Sequence, residues 1–290
     1  MLINFANDFM HTGLTNDDND LGDDIFSTIG GAGSRAKNCL TQIKTFFPTA
    51  EHDMFVAHYV SPEEKNSTKQ MFRGLKDSFH KLIEETEWMT TRTKRKAQKK
   101  LRGMNITVGE TTPRTKEYEQ LKSEMSGQDY IGNVLAIGNY HWRTQINSFY
   151  KSKKIWSDND EKQMNAFYTP DYNHMVILTG IINGLFDLGF SLDFPPSLIY
   201  GGLVTILGHE LTHGFDSTGR KYGANGNKLD WWEKSDDQEF MDRTECLKDQ
   251  YSNFTITHQG QNFTLDRSDK QGENIADNGA IKVVLKSFLS

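Results

Sequence analysis

The chain has 290 residues, 36% of them hydrophobic, and its eighteen Phe and five Trp are enough to fill the core of one large or two ordinary domains. The formal net charge of −6 argues against a nucleic-acid partner, since nucleic-acid binding favours a clustered basic excess. The sequence contains no run of about eighteen apolar residues, so it predicts no transmembrane helix.

The first half of the chain has the pattern of helices. The run Ser61-Pro62-Glu63-Glu64 is typical of a helix start, and apolar residues follow it at helical spacing as far as Ile83. Further helices are predicted over residues 91–102, 114–125 and 130–150. We expect the apolar faces of these helices to form core rather than to contact a cofactor.

A basic cluster, residues 92–100, lies on the second predicted helix. Two interpretations are open: a solvated helix face, or a patch for nucleic acid or anionic lipid. The solvated face is favoured, because the rest of the chain is acidic.

A polar stretch over residues 151–162 separates this half from the second. We therefore predict a helical domain over 1–155 and a second domain over 156–290. The second begins with two short apolar runs, 164–168 and 174–178, on either side of the turn sequence Pro170-Asp171-Tyr172-Asn173. This pattern predicts a hairpin, whose edge is either a site for an extended peptide or simply structural.

A helix from about Ser197 is predicted to carry the run His209-Glu210-Leu211-Thr212-His213. On a helix, two histidines at this spacing lie on one face, so both imidazoles can reach one metal ion. Glu210 lies further round the helix, where it can hold a water molecule beside that ion. The alternative is a buried, hydrogen-bonded pair of helical histidines.

A later helical segment, 272–279, contains Glu273 and Asp277. Glu273 can supply a third ligand, and Asp277, one turn later, can accept the free ring N–H of a ligand histidine. Two histidines and a glutamate leave one zinc position open, as in catalytic zinc sites. A third histidine ligand six residues after His213 is excluded, because Gly219 occupies that position.

Two structural expectations concern the surroundings of the zinc-motif helix. Gly201 and Gly202 are expected to let the helix pass close to a neighbour. Asp216 and Arg220 are expected to form a structural ion pair, an interpretation favoured over a catalytic role for them.

These motifs resemble the neprilysin/endothelin-converting-enzyme family of zinc metallopeptidases. The resemblance is carried by residues 208–216, Gly219-Arg220, Trp231-Trp232 and 272–279, and further upstream by 165–168 and Trp88-Met89. It implies one zinc ion per chain, with His209, His213 and Glu273 as ligands. Glu210 would be the general base and Asp277 the partner of a ligand histidine.

The resemblance also implies that Asn165 and Ala166 hold the backbone of a peptide substrate. The implied fold is α+β and mostly helical, with a thermolysin-like zinc-helix catalytic subdomain that contains a hairpin or small sheet. A helical lid domain would complete it. In this scheme 1–155 is the helical domain and 156–290 the catalytic domain, without the family's C-terminal segment.

The implied function is that of a zinc-dependent endopeptidase or oligopeptidase acting on short extracellular peptides. The protein would be secreted or form the ectodomain of a membrane protein. Because the family's C-terminal segment is missing from the sequence, the chain is identified as a partial or divergent member. The alternative is a zinc-binding but catalytically silent fragment or pseudoenzyme that binds peptides or a partner.

Two cysteines, Cys39 and Cys246, are far apart in the sequence and can pair with each other. The resemblance instead implies a partner near the family's C-terminus, in the segment missing from this sequence, so that Cys246 is expected to carry a free thiol. Four Asn-x-Ser/Thr sequons permit glycosylation in a secreted protein, at Asn66, Asn105, Asn253 and Asn262.

Overall fold

The structure is a computed structural model that describes residues 46, 53, 56–58, 60–110, 116–150, 165–182, 193–264 and 270–290. Its helices are α1 (Pro62–Glu85), α2 (Thr91–Gly103), α3 (Lys116–Glu124), α4 (Tyr130–Tyr150), α5 (Pro196–Ile199), α6 (Thr205–His213), α7 (Lys234–Ser252) and α8 (Gln271–Phe288). Its strands are β1 (Asn105–Val108), β2 (Ala166–Thr169), β3 (His174–Ile177), β4 (Thr255–His258) and β5 (Gln261–Thr264). The prediction of a mostly helical α+β fold is confirmed.

The chain divides into two compact units that differ from the predicted division at 155 and 156. One unit comprises residues 1–58 and 110–160, and the other comprises 59–109 and 161–290. Residues 59–109 join the second unit because Leu75 of α1 and Leu101 of α2 are buried in the same core as Leu207 and Leu211 of α6. The predicted link at 151–162 lies outside the described residues.

The first unit contains α3 and α4. Leu121 and Ile137 form a small buried core between them, with partly buried aromatic side chains around it. Asn133 is buried and ties the connection between the helices together, since it accepts a hydrogen bond from Ser126 N–H and donates one to Ser126 C=O.

Helix α1 begins as its sequence predicts. The Ser61 hydroxyl accepts a hydrogen bond from the backbone N–H of Glu64, and the Glu64 carboxylate accepts one from the backbone N–H of Ser61. This reciprocal capping box satisfies two N–H groups that the helix itself leaves unpaired.

Helix α2 buries a face made of Thr93, Ala97, Lys100 and Leu101. The interpretation of residues 92–100 as a solvated basic face is therefore wrong for Lys100, of which only 1% is exposed. The reason is the helical period: Lys100 follows Thr93 and Ala97 by seven and three residues and so lies on the same face as they do.

A three-stranded sheet has the order β1-β3-β2. The predicted hairpin is confirmed, with β2 antiparallel to β3 and Ala166 opposite Ile177. Strand β1 was not predicted, and it pairs in parallel with β3, with Asn105 opposite His174. Strand β3 is central and buried, whereas β2 is an edge strand.

The zinc-motif helix is built from α5, a π-helical turn at Tyr200–Val204 and α6. It passes closest to α8 at two glycines: a Cβ atom at Gly208 would lie 2.8 Å from Val284 Cγ2, and one at Gly279 would overlap Thr212. The expectation for Gly201 is not met within the described residues, none of which would lie within 4 Å of a Cβ atom there.

None of the helices within the described residues is long and apolar enough to cross a membrane. Cys246 is exposed on α7 with a free thiol, while its proposed partner Cys39 lies outside the described part of the chain.

Candidate metal centre and active site

His209, His213 and Glu273 converge on one point. The Nε2 atoms of the two imidazoles are 2.9 Å apart, and Glu273 Oε2 lies 3.2 Å from His209 Nε2 and 3.5 Å from His213 Nε2. Helix α6 presents both histidines from one face, and the first turn of α8 brings the carboxylate to them. One ligand atom from each residue lies within 4.8 Å of the others, which suits a single metal ion.

The outer nitrogen of each imidazole is bound to a carboxylate. His209 Nδ1 lies 2.8 Å from Asp277 Oδ1, and His213 Nδ1 lies 2.7 Å from Asp216 Oδ2. A carboxylate at Nδ1 favours the tautomer with the proton on Nδ1, which leaves the Nε2 lone pair free. Both free lone pairs then face Glu273, so two nitrogens and one carboxylate oxygen form a donor set of the kind found in catalytic zinc sites.

The structure corrects the expected role of Asp216. Its Oδ1 atom accepts hydrogen bonds from the backbone N–H groups of Thr218, at 2.8 Å, and Gly219, at 2.6 Å. The guanidinium of Arg220 instead pairs with Asp237 and lies over the ring of Phe240. The predicted Asp216–Arg220 ion pair is therefore wrong. The sequence feature that could have revealed this contact is an aspartate three residues after the candidate ligand His213, just beyond the end of its helix.

Burial and hydrogen bonding shift the pKa values of both Asp216 and His213. Burial by itself raises the pKa of Asp216, but hydrogen bonds from His213, Gly219 and Thr218 outweigh it and hold that pKa below its usual value. Burial lowers the pKa of His213, but the hydrogen bond with Asp216 and the nearby charges of Glu210 and Glu273 raise it above the usual value overall.

Glu210 is buried beside His209 and His213, and all three residues line one cavity. Its Oε2 atom has no hydrogen-bond partner among the described residues, whereas the backbone N–H of Tyr168 donates to the carboxylate. Burial raises the pKa of Glu210, although the two histidines oppose the shift. A buried acceptor without a partner is costly, so this oxygen is placed for a ligand, most simply a water molecule.

An open cavity of about 660 Å³ lies over the three ligand candidates. Its walls are strand β2, the start of α8 and residues 216–219. Asn165 and Ala166, the two predicted substrate-binding residues, line it as well. The structure thus brings every predicted site residue to one place, Asp277 through its contact with His209.

The chain is similar to known zinc metallopeptidases. Two sequence models of peptidase family M13 match it, an N-terminal one over residues 1–111 and a second over residues 165–290. Endothelin-converting enzyme-like 1 of Rattus norvegicus is 33% identical over 268 residues, covering 87% of this chain and 32% of the relative. Neprilysin-2 of Caenorhabditis elegans is 27% identical over 277 residues, covering 88% of this chain and 34% of the relative.

Solved structures show the same likeness. The zinc metalloprotease Zmp1 of Mycobacterium tuberculosis in complex with an inhibitor is 26% identical, with a TM-score of 0.67 over 87% of this chain and 38% of that one. The chain spans about a third of the length of the curated relatives it matches. The two family models together match residues 1–111 and 165–290, and the second range contains every residue of the candidate site. The chain belongs to peptidase family M13.

Proposed function

We propose that the protein is a zinc-dependent peptidase that hydrolyses short peptides. One observation carries the proposal: His209, His213 and Glu273 converge beside Glu210, whose Oε2 atom has no hydrogen-bond partner in the described part of the chain. Three protein ligands with an open position are typical of catalytic zinc sites, and an adjacent acceptor can take a proton from water held there. Membership of peptidase family M13 supports the same reaction class.

His209, His213 and Glu273 would hold the ion. When bound, zinc supplies a Lewis acid that polarises a peptide carbonyl and makes water more acidic. Asp277 and Asp216 keep the two imidazoles in the tautomer that binds metal, through contacts of 2.8 Å and 2.7 Å. The carboxylates of Asp216 and Asp277 thereby orient the two histidine ligands of the proposed site.

Glu210 is proposed as the general base and then the general acid. Its Oε2 atom takes a proton from the attacking water and later gives that proton to the leaving amine. Burial raises its pKa, so the protonated carboxyl that forms in the middle of the reaction is less unfavourable than it would be in water.

Strand β2 is proposed to bind the substrate backbone. Asn165 C=O accepts a hydrogen bond from Leu178 N–H, so the main chain of Asn165 faces β3 and that of Ala166 faces away from it. The Ala166 carbonyl can then accept a hydrogen bond from an extended peptide, and the side-chain amide of Asn165 can donate one to that peptide. Recognition through the backbone tolerates many side chains.

The peptides are proposed to be extracellular. The resemblance to a family of ectoenzymes is the main support, and the asparagines of all four sequons are exposed. Asn66 lies on α1 and Asn105 on β1, whereas Asn253 directly follows α7 and Asn262 lies on β5.

The test compares the zinc-loaded protein with Glu210→Gln on a library of short peptides, with a chelated control. The wild type should bind one zinc per chain and cleave, while the variant should bind zinc equally and cleave at least about a hundredfold more slowly. Zinc binding without cleavage by the wild type would favour the catalytically silent alternative. Equal cleavage by the two proteins would remove Glu210 from the mechanism.

A further inference from the structure

Lys100 is a buried lysine next to the turn that follows the candidate metal centre, and the proposed mechanism does not use it. Its side chain is 1% exposed. Its amine donates to the carbonyl oxygens of Gly219, at 2.6 Å, and Tyr222, at 2.8 Å. The amine also lies 5.8 Å from the ring centre of Tyr168 and 5.5 Å from that of Phe215. Lys100 thus holds both ends of the turn formed by residues 219–222.

That turn carries the hydrogen bonds that position Asp216. The Gly219–Arg220 peptide group accepts from Lys100 through its carbonyl and donates through Arg220 N–H to Asp216 C=O, at 3.1 Å. Gly219 N–H donates to Asp216 Oδ1, while Asp216 Oδ2 binds His213 Nδ1. Lys100 is therefore connected to His213 through Gly219: its amine binds the Gly219 carbonyl, and the N–H of the same residue binds the carboxylate that contacts His213. Lys100 also polarises the Gly219–Arg220 peptide group, which strengthens the hydrogen bond from Arg220 N–H to the main-chain carbonyl of Asp216.

The turn has little freedom to adjust if this support is lost. A Cβ atom at Gly219 would overlap the carbonyl oxygen of His213, so the turn packs directly on the end of α6. Tyr222 C=O, the second acceptor for Lys100, also accepts from the indole N–H of Trp231 at 3.2 Å. A displacement at 219–222 is therefore transmitted to Asp216 and His213 rather than absorbed locally.

We infer that Lys100 is a positioning residue for the metal centre: its buried amine fixes the turn 219–222, and through it the Asp216 carboxylate that orients His213. The inference rests on the proposed zinc function. Lys100 is not among the residues that line the cavity, so it acts on the site through the turn and through its charge near Asp216.

Burial and the neighbouring Asp216 have opposite effects on the charge of Lys100. Burial lowers the pKa of Lys100 to about 7, and the negative charge of Asp216 opposes the shift. Burying a lysine this deeply is costly unless its polar atoms are hydrogen-bonded, and the two carbonyl oxygens of the turn meet that need. The competing explanation is that Lys100 stabilises the core without any effect on the metal, which predicts a different outcome in solution.

The experiment measures zinc affinity by competition with a chromophoric chelator, for the wild type and Lys100→Met. We expect Lys100→Met to bind zinc about tenfold to a hundredfold more weakly, the effect typical of a lost partner of a metal ligand. The matched control is Lys94→Met. Lys94 lies on the same helix and donates to the carbonyl of Glu84 at 2.9 Å, away from the turn and from Trp231, so zinc affinity should not change.

Two further variants separate positioning from stability. Lys100→Arg, which keeps charge and donors, should recover at least part of the affinity. In a double-mutant cycle, Lys100→Met should add little to the loss caused by Asp216→Asn, because both act through one carboxylate. Should Lys100→Met not fold, Lys100→Gln takes its place under the same limits.

Each outcome has one meaning. Wild-type zinc affinity in a folded Lys100→Met protein, or full additivity with Asp216→Asn, would overturn the inference and leave the proposed function intact. Failure of the wild type to bind zinc would remove the proposed function, and the inference with it. The zinc-induced rise in Tm gives an independent measure, because a purely structural lysine would lower Tm equally with and without zinc.

Discussion

His213 Nδ1 and Asp216 Oδ2 are 2.7 Å apart, so the residue that ends the zinc-motif helix is bound to a carboxylate from the turn that follows it. The other candidate ligand histidine, His209, has an equivalent partner, Asp277, but that carboxylate comes from α8, far along the chain. The two partners differ in burial, since the side chain of Asp216 is 8% exposed and that of Asp277 is 59% exposed. The buried pair is screened less by solvent and should matter more for metal binding.

The first prediction concerns this difference. Asp216→Asn should weaken zinc binding about tenfold to a hundredfold, because the amide no longer fixes the imidazole through a charged acceptor. Asp277→Asn should weaken it less. Competition titration of both variants with zinc checks the order, and a larger effect at Asp277 would contradict the argument from burial.

The second prediction concerns the proposed third ligand. Glu273→Ala should lose more zinc affinity than either Asp216→Asn or Asp277→Asn, since it removes a donor atom rather than the partner of one. Isothermal titration with zinc provides the measurement. Retention of wild-type affinity would show that another group completes the site.

The third prediction concerns Gly219. Gly219→Ala should lower the free energy of unfolding by about 1–3 kcal/mol or more, because the new methyl group would overlap the carbonyl oxygen of His213. Gly201→Ala is the control, since a Cβ atom there meets nothing within 4 Å, and its effect should be small or stabilising. Urea denaturation of the zinc-free proteins measures both, and equal stabilities would show that the turn can move.

The fourth prediction concerns pH. Lys100 has its pKa lowered from 10.5 to about 7 in the folded protein, so between these values the unfolded chain binds more protons than the folded one. Stability should therefore rise with pH across this window, by at most about 1.4 kcal/mol per pH unit from this group. Lys100→Met should lack that part of the rise.

The measurement for this prediction is the difference in unfolding free energy between the wild type and Lys100→Met at several pH values from 7 upwards. Other titrating groups contribute to both proteins and largely cancel in the difference. A pH-independent difference would show that Lys100 keeps an ordinary pKa in the folded state.

The fifth prediction concerns the edge strand. Asn165→Ala should lower kcat/KM for short peptides by about two- to tenfold, the loss of one hydrogen bond worth roughly 0.5–1.5 kcal/mol. Zinc affinity should not change, because Asn165 lines the cavity without being one of the three ligand candidates. Steady-state kinetics with zinc titration separates the two effects, and an unchanged kcat/KM would exclude a substrate role.

The candidate ligands could be named from the sequence because their signals are local. His209 and His213 share a face by helical geometry alone, and Glu273 and Asp277 share one for the same reason. The start of α1 and the β2–β3 hairpin were likewise predicted from caps, turn residues and short apolar runs. Each of these depends on residues within a few positions of one another.

The tertiary structure decided several other contacts between groups that are distant in the sequence. The sequence did not reveal that β1 joins β3 in parallel, since a parallel pair needs a long connection that leaves no local pattern. It favoured Arg220 as the partner of Asp216, although the helix end turns that carboxylate towards His213 and two backbone N–H groups. It also placed Lys100 in a solvated cluster, whereas the packing of α2 against the turn 219–222 buries it. Charge and spacing are properties of the sequence, but burial and the choice of hydrogen-bond partner depend on how separate elements pack.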